Sequence, residues 1–180
     1  MQQTTLHSFI NSLIYLEIMA KGIIINSVKD ALAAGLNIIE SAESETAWIL
    51  PPWMLVLAAQ YGSPMKSKTL IQNGGRVRGI FNISSPYIEL ARLFLDIGED
   101  VRHTDHYEGV FFLVGDKKQS ISSMHVSTEE LRCDDTIVAF WSEEPTYAEY
   151  LLSIFESAWT EGVDGQERIS ELLEEGPSQT

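Results

Sequence analysis

The chain has 180 residues, with 12 Lys+Arg against 26 Asp+Glu and a formal net charge of −14. That length supports one domain with a proper core, and 44% hydrophobic against 21% charged residues excludes wholesale disorder. The acidic balance argues against a surface that coats nucleic acid or an anionic membrane, and the single cysteine, Cys133, excludes an internal disulfide framework and points to a reducing compartment.

Leu6, Phe9, Ile10, Leu13 and Ile14 recur at helical spacing and predict an amphipathic helix to about Met19. No basic start leads into a continuous apolar run, so no secretory signal is expected. Asn26 or Ser27 caps a second helix with Val28, Leu32 and Ile39 on one face. Residues 47–50 read as a short buried strand, Pro51-Pro52 as a turn and residues 54–61 as a helix. The uncharged run 46–65 nominally reaches membrane length, but its adjacent prolines break a spanning helix. A cytoplasmic protein without a membrane partner is therefore expected. A polar helix over 66–72 stops at Asn73-Gly74-Gly75.

Residues 76–83 have strand composition, and Ser85 with Pro86 behind it opens a helix striped by Tyr87, Leu90, Ala91, Phe94 and Leu95. A short strand follows over 100–103. Residues 110–114 and 119–126 form a hairpin around Gly115-Asp116-Lys117-Lys118, and 136–141 is the final strand. Pro145 opens an amphipathic helix with Tyr147, Leu151, Ile154, Phe155, Ala158 and Trp159 on one side; a last polar helix covers 166–174. Strands joined by helical crossovers pair in parallel, and the hairpin adds an antiparallel part. The expected fold is α/β, a mixed sheet with helices on both faces. Residues 1–45 are expected to form a helical extension packed on a domain spanning 46–176.

Charge is unevenly spread. Residues 133–180 carry twelve acids against Arg168 alone, whereas residues 46–88 hold no acid and four bases, Lys66, Lys68, Arg76 and Arg78. The pattern reads as a solvated surface, or as basic and acidic patches that meet on a partner or a second copy.

Arg102-His103-Thr104-Asp105-His106-Tyr107-Glu108 is the most reactive-looking stretch. His103, Asp105 and His106, with His125, offer ligands suited to zinc, nickel or iron, and a metal-dependent hydrolase built on the first three is the enzymatic alternative. On a strand, however, His103 and Asp105 share one face and His106 the other. Asp134 and Asp135 beside Cys133 make a poor thiolate, and no G-x-S-x-G elbow, P-loop or G-x-G-x-x-G is present. The first 45 residues hold too few elements and bases for a winged helix-turn-helix, so direct nucleic acid binding is not expected.

Gly74-Gly75-Arg76-Val77-Arg78 opens a strand, Gly98-Glu99-Asp100-Val101-Arg102-His103 follows, and Val138-Ala139-Phe140-Trp141-Ser142 leads into a helix ending Phe155-Glu156-Ser157-Ala158-Trp159. With the 110–114 strand, Gly115-Asp116-Lys117 and Ser120-Ile121-Ser122, residues 47–174 resemble the non-catalytic sensor branch of the phospholipase-D-like superfamily. Such domains form the effector-binding half of archaeal TrmB-type transcription regulators, so the resemblance implies a phospholipase-D-like half-domain. Catalytic relatives carry H-x-K-x-x-x-x-D. With Asp116 on the motif's Asp, Gly109 falls on its His and Phe111 on its Lys; starting from His106 puts Glu108 and Leu113 on the other two. Without nucleophile and cation that mechanism is lost, so a non-enzyme is expected.

Open parallel sheets bind ligands beyond the C-terminal ends of their strands. Those ends should carry Trp53; then Ser84, Ser85 and Tyr87; then His103, Asp105 and His106. The expected function is a sensory or regulatory domain in signal transduction or transcription regulation. It would bind a small effector or a protein partner there, or form a homodimer, with no cofactor and no metal.

Overall fold

The computed structural model describes residues 21–107, 109–123 and 132–175; the expected first helix and His125 lie outside them. The elements run β1 (Gly22–Ile25), α1 (Val28–Ser41), β2 (Glu45–Ile49), α2 (Pro52–Gln60), α3 (Ser63–Gln72) and β3 (Arg76–Phe81). A 3-10 turn (Ser85–Tyr87) precedes α4 (Ile88–Asp96), and β4 (Asp100–His103), β5 (Phe111–Gly115), β6 (Gln119–Ser123) and β7 (Ala139–Ser142) follow. The last elements are α5 (Pro145–Glu161), β8 (Val163–Asp164) and α6 (Gly165–Glu175).

Eight strands form one mixed sheet in the order β1-β7-β6-β5-β2-β3-β4-β8. β2, β3 and β4 are parallel, because helices carry the chain back between them. The remaining neighbours are antiparallel. Successive side chains of a strand point to opposite faces, and both faces of β2 are covered. Trp48 belongs to a core shared with Val28, Met54, Leu70, Phe94 and Ile169 of the surrounding helices. Ala47 and Ile49 face the other way, against Leu151, Phe155 and Ala158 of α5. A strand sandwiched in this way reads as an unbroken apolar run. The expected α/β architecture, a mixed sheet with helices on both faces, is the observed one.

Several local expectations shift. Ser27 does cap α1, its hydroxyl accepting the Asp30 amide at 3.1 Å. Ser85, however, does not cap α4: the Tyr87 amide bonds the Ser84 carbonyl at 2.8 Å and closes a 3-10 turn, so the α-helix begins only at Ile88. Residues 23–25 extend the sheet edge beside β7, and the two-residue β8 is too short to carry a periodic signal.

Three of the four bases of the acid-free stretch meet acids inside the chain. Arg76 pairs with Asp100 at 2.8 Å, and Lys66 with Glu40. Arg78 is 7% exposed; its Nε donates to Glu45 at 2.7 Å and its fork to both Glu156 oxygens at 3.1 and 2.6 Å. Its guanidinium also lies over the rings of Phe155 and Trp159, at 4.8 and 5.4 Å. Arg78→Lys keeps the charge but loses the fork and the flat stacking surface. It should cost about 1–3 kcal/mol in urea unfolding.

Gly79 pairs in register with Trp48, and the indole lies across it: a Cβ there would sit 2.0 Å from the ring. Gly79→Ala must displace a buried ring, so we expect a loss of about 1–3 kcal/mol by the same measurement.

Candidate functional site at the ends of the parallel strands

The C-terminal ends of β2, β3 and β4 border a small depression of about 30 Å³, lined by Pro51, Pro52, Phe81, Asn82, Thr104 and Tyr107 among others. The parallel strands stop together there and turn into loops, so backbone groups and polar side chains replace the ladder. The Thr104 amide reaches back to the Phe81 carbonyl at 3.4 Å, and the Thr104 hydroxyl accepts the His106 amide at 3.2 Å.

Beside the depression, His103 Nδ1 accepts the Ile83 amide at 3.0 Å. Its proton therefore sits on Nε2, which faces Asp105 at 3.6 Å. Burial pushes the His103 imidazole below its ordinary pKa, more than Asp105 pulls it up. Asp105 also accepts from the Asn82 amide at 3.1 Å and is exposed, as is His106. Among the described residues no three His, Cys, Asp or Glu side chains converge as metal ligands. His103 Nδ1 accepts a backbone N–H and leaves Nε2 protonated, so in this arrangement the imidazole offers a metal no free lone pair, and the hydrolase alternative on His103, Asp105 and His106 finds no formed ligand set among the described residues.

The other expected site residues are dispersed. Trp53 is 5% exposed and belongs to the core, while Ser85 is exposed and Ser84 and Tyr87 are half-buried on the 3-10 turn. Asn82 and Thr104 were missed as site residues. Each is the residue immediately after a strand, and only the register of neighbouring strands brings them together.

Asp116 has a different task. With Lys117 it forms the two left-handed positions of the β5–β6 turn, at φ 50° and 58°. Its carboxylate accepts the backbone amides of Glu43, Ser44 and Glu45 and the Ser44 hydroxyl, at 2.6–2.9 Å. Burial alone would raise its pKa, but these donors hold it down at about 2. At the two other positions of the catalytic motif stand Gly109 and Phe111, the latter 2% exposed.

The strand order, the parallel centre and the helices on both faces define a phospholipase-D-type α/β fold. TrmBL2, described as an archaeal chromatin protein with a novel mode of DNA binding, superposes with a TM-score of 0.61 at 12% identity, over 90% of this chain and 64% of that one. This chain thus spans less than two thirds of TrmBL2. Nuc from Salmonella typhimurium, a phospholipase D family member, superposes with a TM-score of 0.59 at 12% identity, over 80% of this chain and 98% of its own. NucT from Helicobacter pylori gives a TM-score of 0.59 at 13% identity over the same shares. No family model matches the sequence, and no curated protein matches it.

Two expectations are corrected by these likenesses. The chain was expected not to be an enzyme, yet its fold is shared with Nuc, a phospholipase D family member, and with NucT; the residues at one motif say nothing of chemistry carried by others. Direct nucleic acid binding was not expected, yet TrmBL2, with the same fold, is described as binding DNA. Net charge averages over a surface and does not describe any one face of it.

Asp116→Ala should lower stability by about 1–3 kcal/mol at pH 7, because three backbone amides lose their acceptor. A carboxylate whose folded pKa is about 2 rather than 3.8 stabilises above the latter value and stops doing so as pH falls toward the former. The difference between wild type and variant in chemical denaturation should therefore shrink from about pH 4 to pH 2.

Proposed function

We propose that the chain is a regulatory domain that binds a small effector at the ends of β2, β3 and β4, within a signalling or transcription system. The observation that carries this reading is the depression there, with His103, Asp105 and Asn82 already joined at its side. Asp105 and His106 are the exposed groups that would meet the effector, the Nε2–H of His103 would supply a donor, and Ser84, Ser85 and Tyr87 would reach it from the turn that follows β3, outside the lining of the depression itself. Trp53 supports the region from the core.

TrmBL2's described place in archaeal chromatin supports a role in transcription, and it makes duplex DNA a partner to be tested. A gel shift across a salt series reads this directly, since phosphate contacts weaken steeply with salt.

An effector that binds the folded form stabilises it by mass action, about 2.7 kcal/mol at a hundredfold excess over its Kd. A thermal-shift screen of polar metabolites should therefore find a compound that raises Tm. Asp105→Ala and His106→Ala should each reduce that rise. A rise left intact in both variants would place the effector elsewhere.

A further inference from the structure

Beneath α1, on the sheet face opposite α5, lies a second cavity of about 40 Å³. One water-sized occupant needs about 10–15 Å³ on that scale, so it has room for about three. Its walls are mostly apolar, with Leu32, Trp48, Met54, Leu55, Phe94 and Leu113 among them. Glu99 stands in this wall and is 3% exposed. Neither of its carboxyl oxygens has a partner in close hydrogen-bonding geometry; the Ser67 and Trp48 side chains act on it only as loose donors, which favour its charged form less than burial disfavours it. The Ser63 hydroxyl, also in the wall and 3% exposed, has no partner either.

Buried polar groups are ordinarily satisfied, and buried carboxylates ordinarily paired. Here three of the six buried side-chain atoms without a close partner, counted among the described residues, belong to two residues that line one small space. The backbone gives a reason for the placement. Gly98, at φ 96°, ends α4 in the left-handed conformation, and the Glu99 amide bonds back to the Phe94 carbonyl at 3.0 Å. This closure sets Glu99 at the start of β4, the end of the parallel sheet remote from the depression described above.

Gly35 of α1 also lines the cavity, and a Cβ there would have nothing within 4 Å. Glycine in mid-helix costs about 0.5–1 kcal/mol relative to alanine. At Gly35 no close neighbour compels it, and a larger side chain there meets open space beside the cavity.

We propose that this cavity binds a small alkylammonium ion, its charged head on Glu99 and the Ser63 hydroxyl and its short carbon chain against the apolar wall. An ammonium supplies a close donor to both groups and the charge that a buried carboxylate needs. A neutral alcohol of the same size offers one donor and no charge, and an anion is repelled. The site is distinct from the strand-end depression and stands or falls separately from it.

The test uses the full chain and propylammonium chloride, with 1-propanol and KCl as controls, read by thermal shift and titration calorimetry. Propylammonium should raise Tm at pH 8, and both controls should leave it unchanged. Burial raises the Glu99 pKa to about 7, and Glu99 is the one group lining the cavity that titrates in this range. Apparent affinity should therefore be about tenfold weaker at pH 6 than at pH 8. Glu99→Gln should weaken binding at least tenfold, and Gly35→Leu should abolish it by filling the space, with near-UV circular dichroism confirming the fold of each. If Glu99→Gln fails to fold, Gly35→Leu carries the test. No shift at pH 8, an equal shift with 1-propanol, or binding that survives in the folded variants would overturn the proposal.

Discussion

The Arg78 guanidinium is the interaction on which the arrangement of this molecule turns. It projects from β3, the middle of the three parallel strands, toward α5. There Glu156 takes its fork, Glu45 takes its Nε, and the rings of Phe155 and Trp159 lie against its plane. A cation this buried is tolerated only when paired, and the pairing draws on residues far apart in sequence. The long C-terminal helix is thereby tied to the sheet at a defined rotation, with its apolar side on Ala47, Ile49, Ile80, Phe112 and Val114. Arg102, one strand over, extends the arrangement: its guanidinium lies 4.5 Å from the Trp159 ring, and it donates to the Trp159 carbonyl.

This contact also explains the lopsided charge of the sequence. The acid-free stretch and the acidic last third read as two patches awaiting a partner, but much of that complementarity is satisfied internally. Arg78 meets Glu156 from the acidic third, while Lys66 and Arg76 meet Glu40 and Asp100, which lie just outside the acid-free stretch. The remaining excess of acid is spread over exposed helix faces, such as those of α6.

The two ends of the parallel sheet differ in kind. At the C-terminal ends, polar groups are exposed or engaged with one another: His103 with the Ile83 amide, Asn82 with Asp105, and Thr104 with the His106 amide. At the start of β4, by contrast, Glu99 is enclosed by apolar side chains from the sheet and from helices on the same side. The first arrangement suits a ligand that arrives from solvent and exchanges hydrogen bonds. The second suits a compact ligand that satisfies a group to which the protein gives no close partner. The likeness to TrmBL2, Nuc and NucT extends to the fold, whereas a site is made by the particular side chains that a chain places on it.

The sequence by itself determined the kind of fold. Apolar runs at 47–50 and 110–114, stripes at helical spacing after Pro86 and Pro145, and the turn at Gly115–Lys118 are local signals, and each produced its element close to the expected place. Ser84 to Tyr87 misled because a proline favours a 3-10 turn as readily as a first helical turn, and the choice depends on what the turn packs against. Trp53 misled because position along the chain places a residue near a strand end without saying which way its ring points. Glu99 was invisible for a similar reason: a glutamate after a helix-ending glycine reads as a solvated charge, and only the helices folded over it make it buried. Pairing, burial and the direction of a side chain depend on strand register and on elements distant in sequence. Those were decided by the tertiary structure alone.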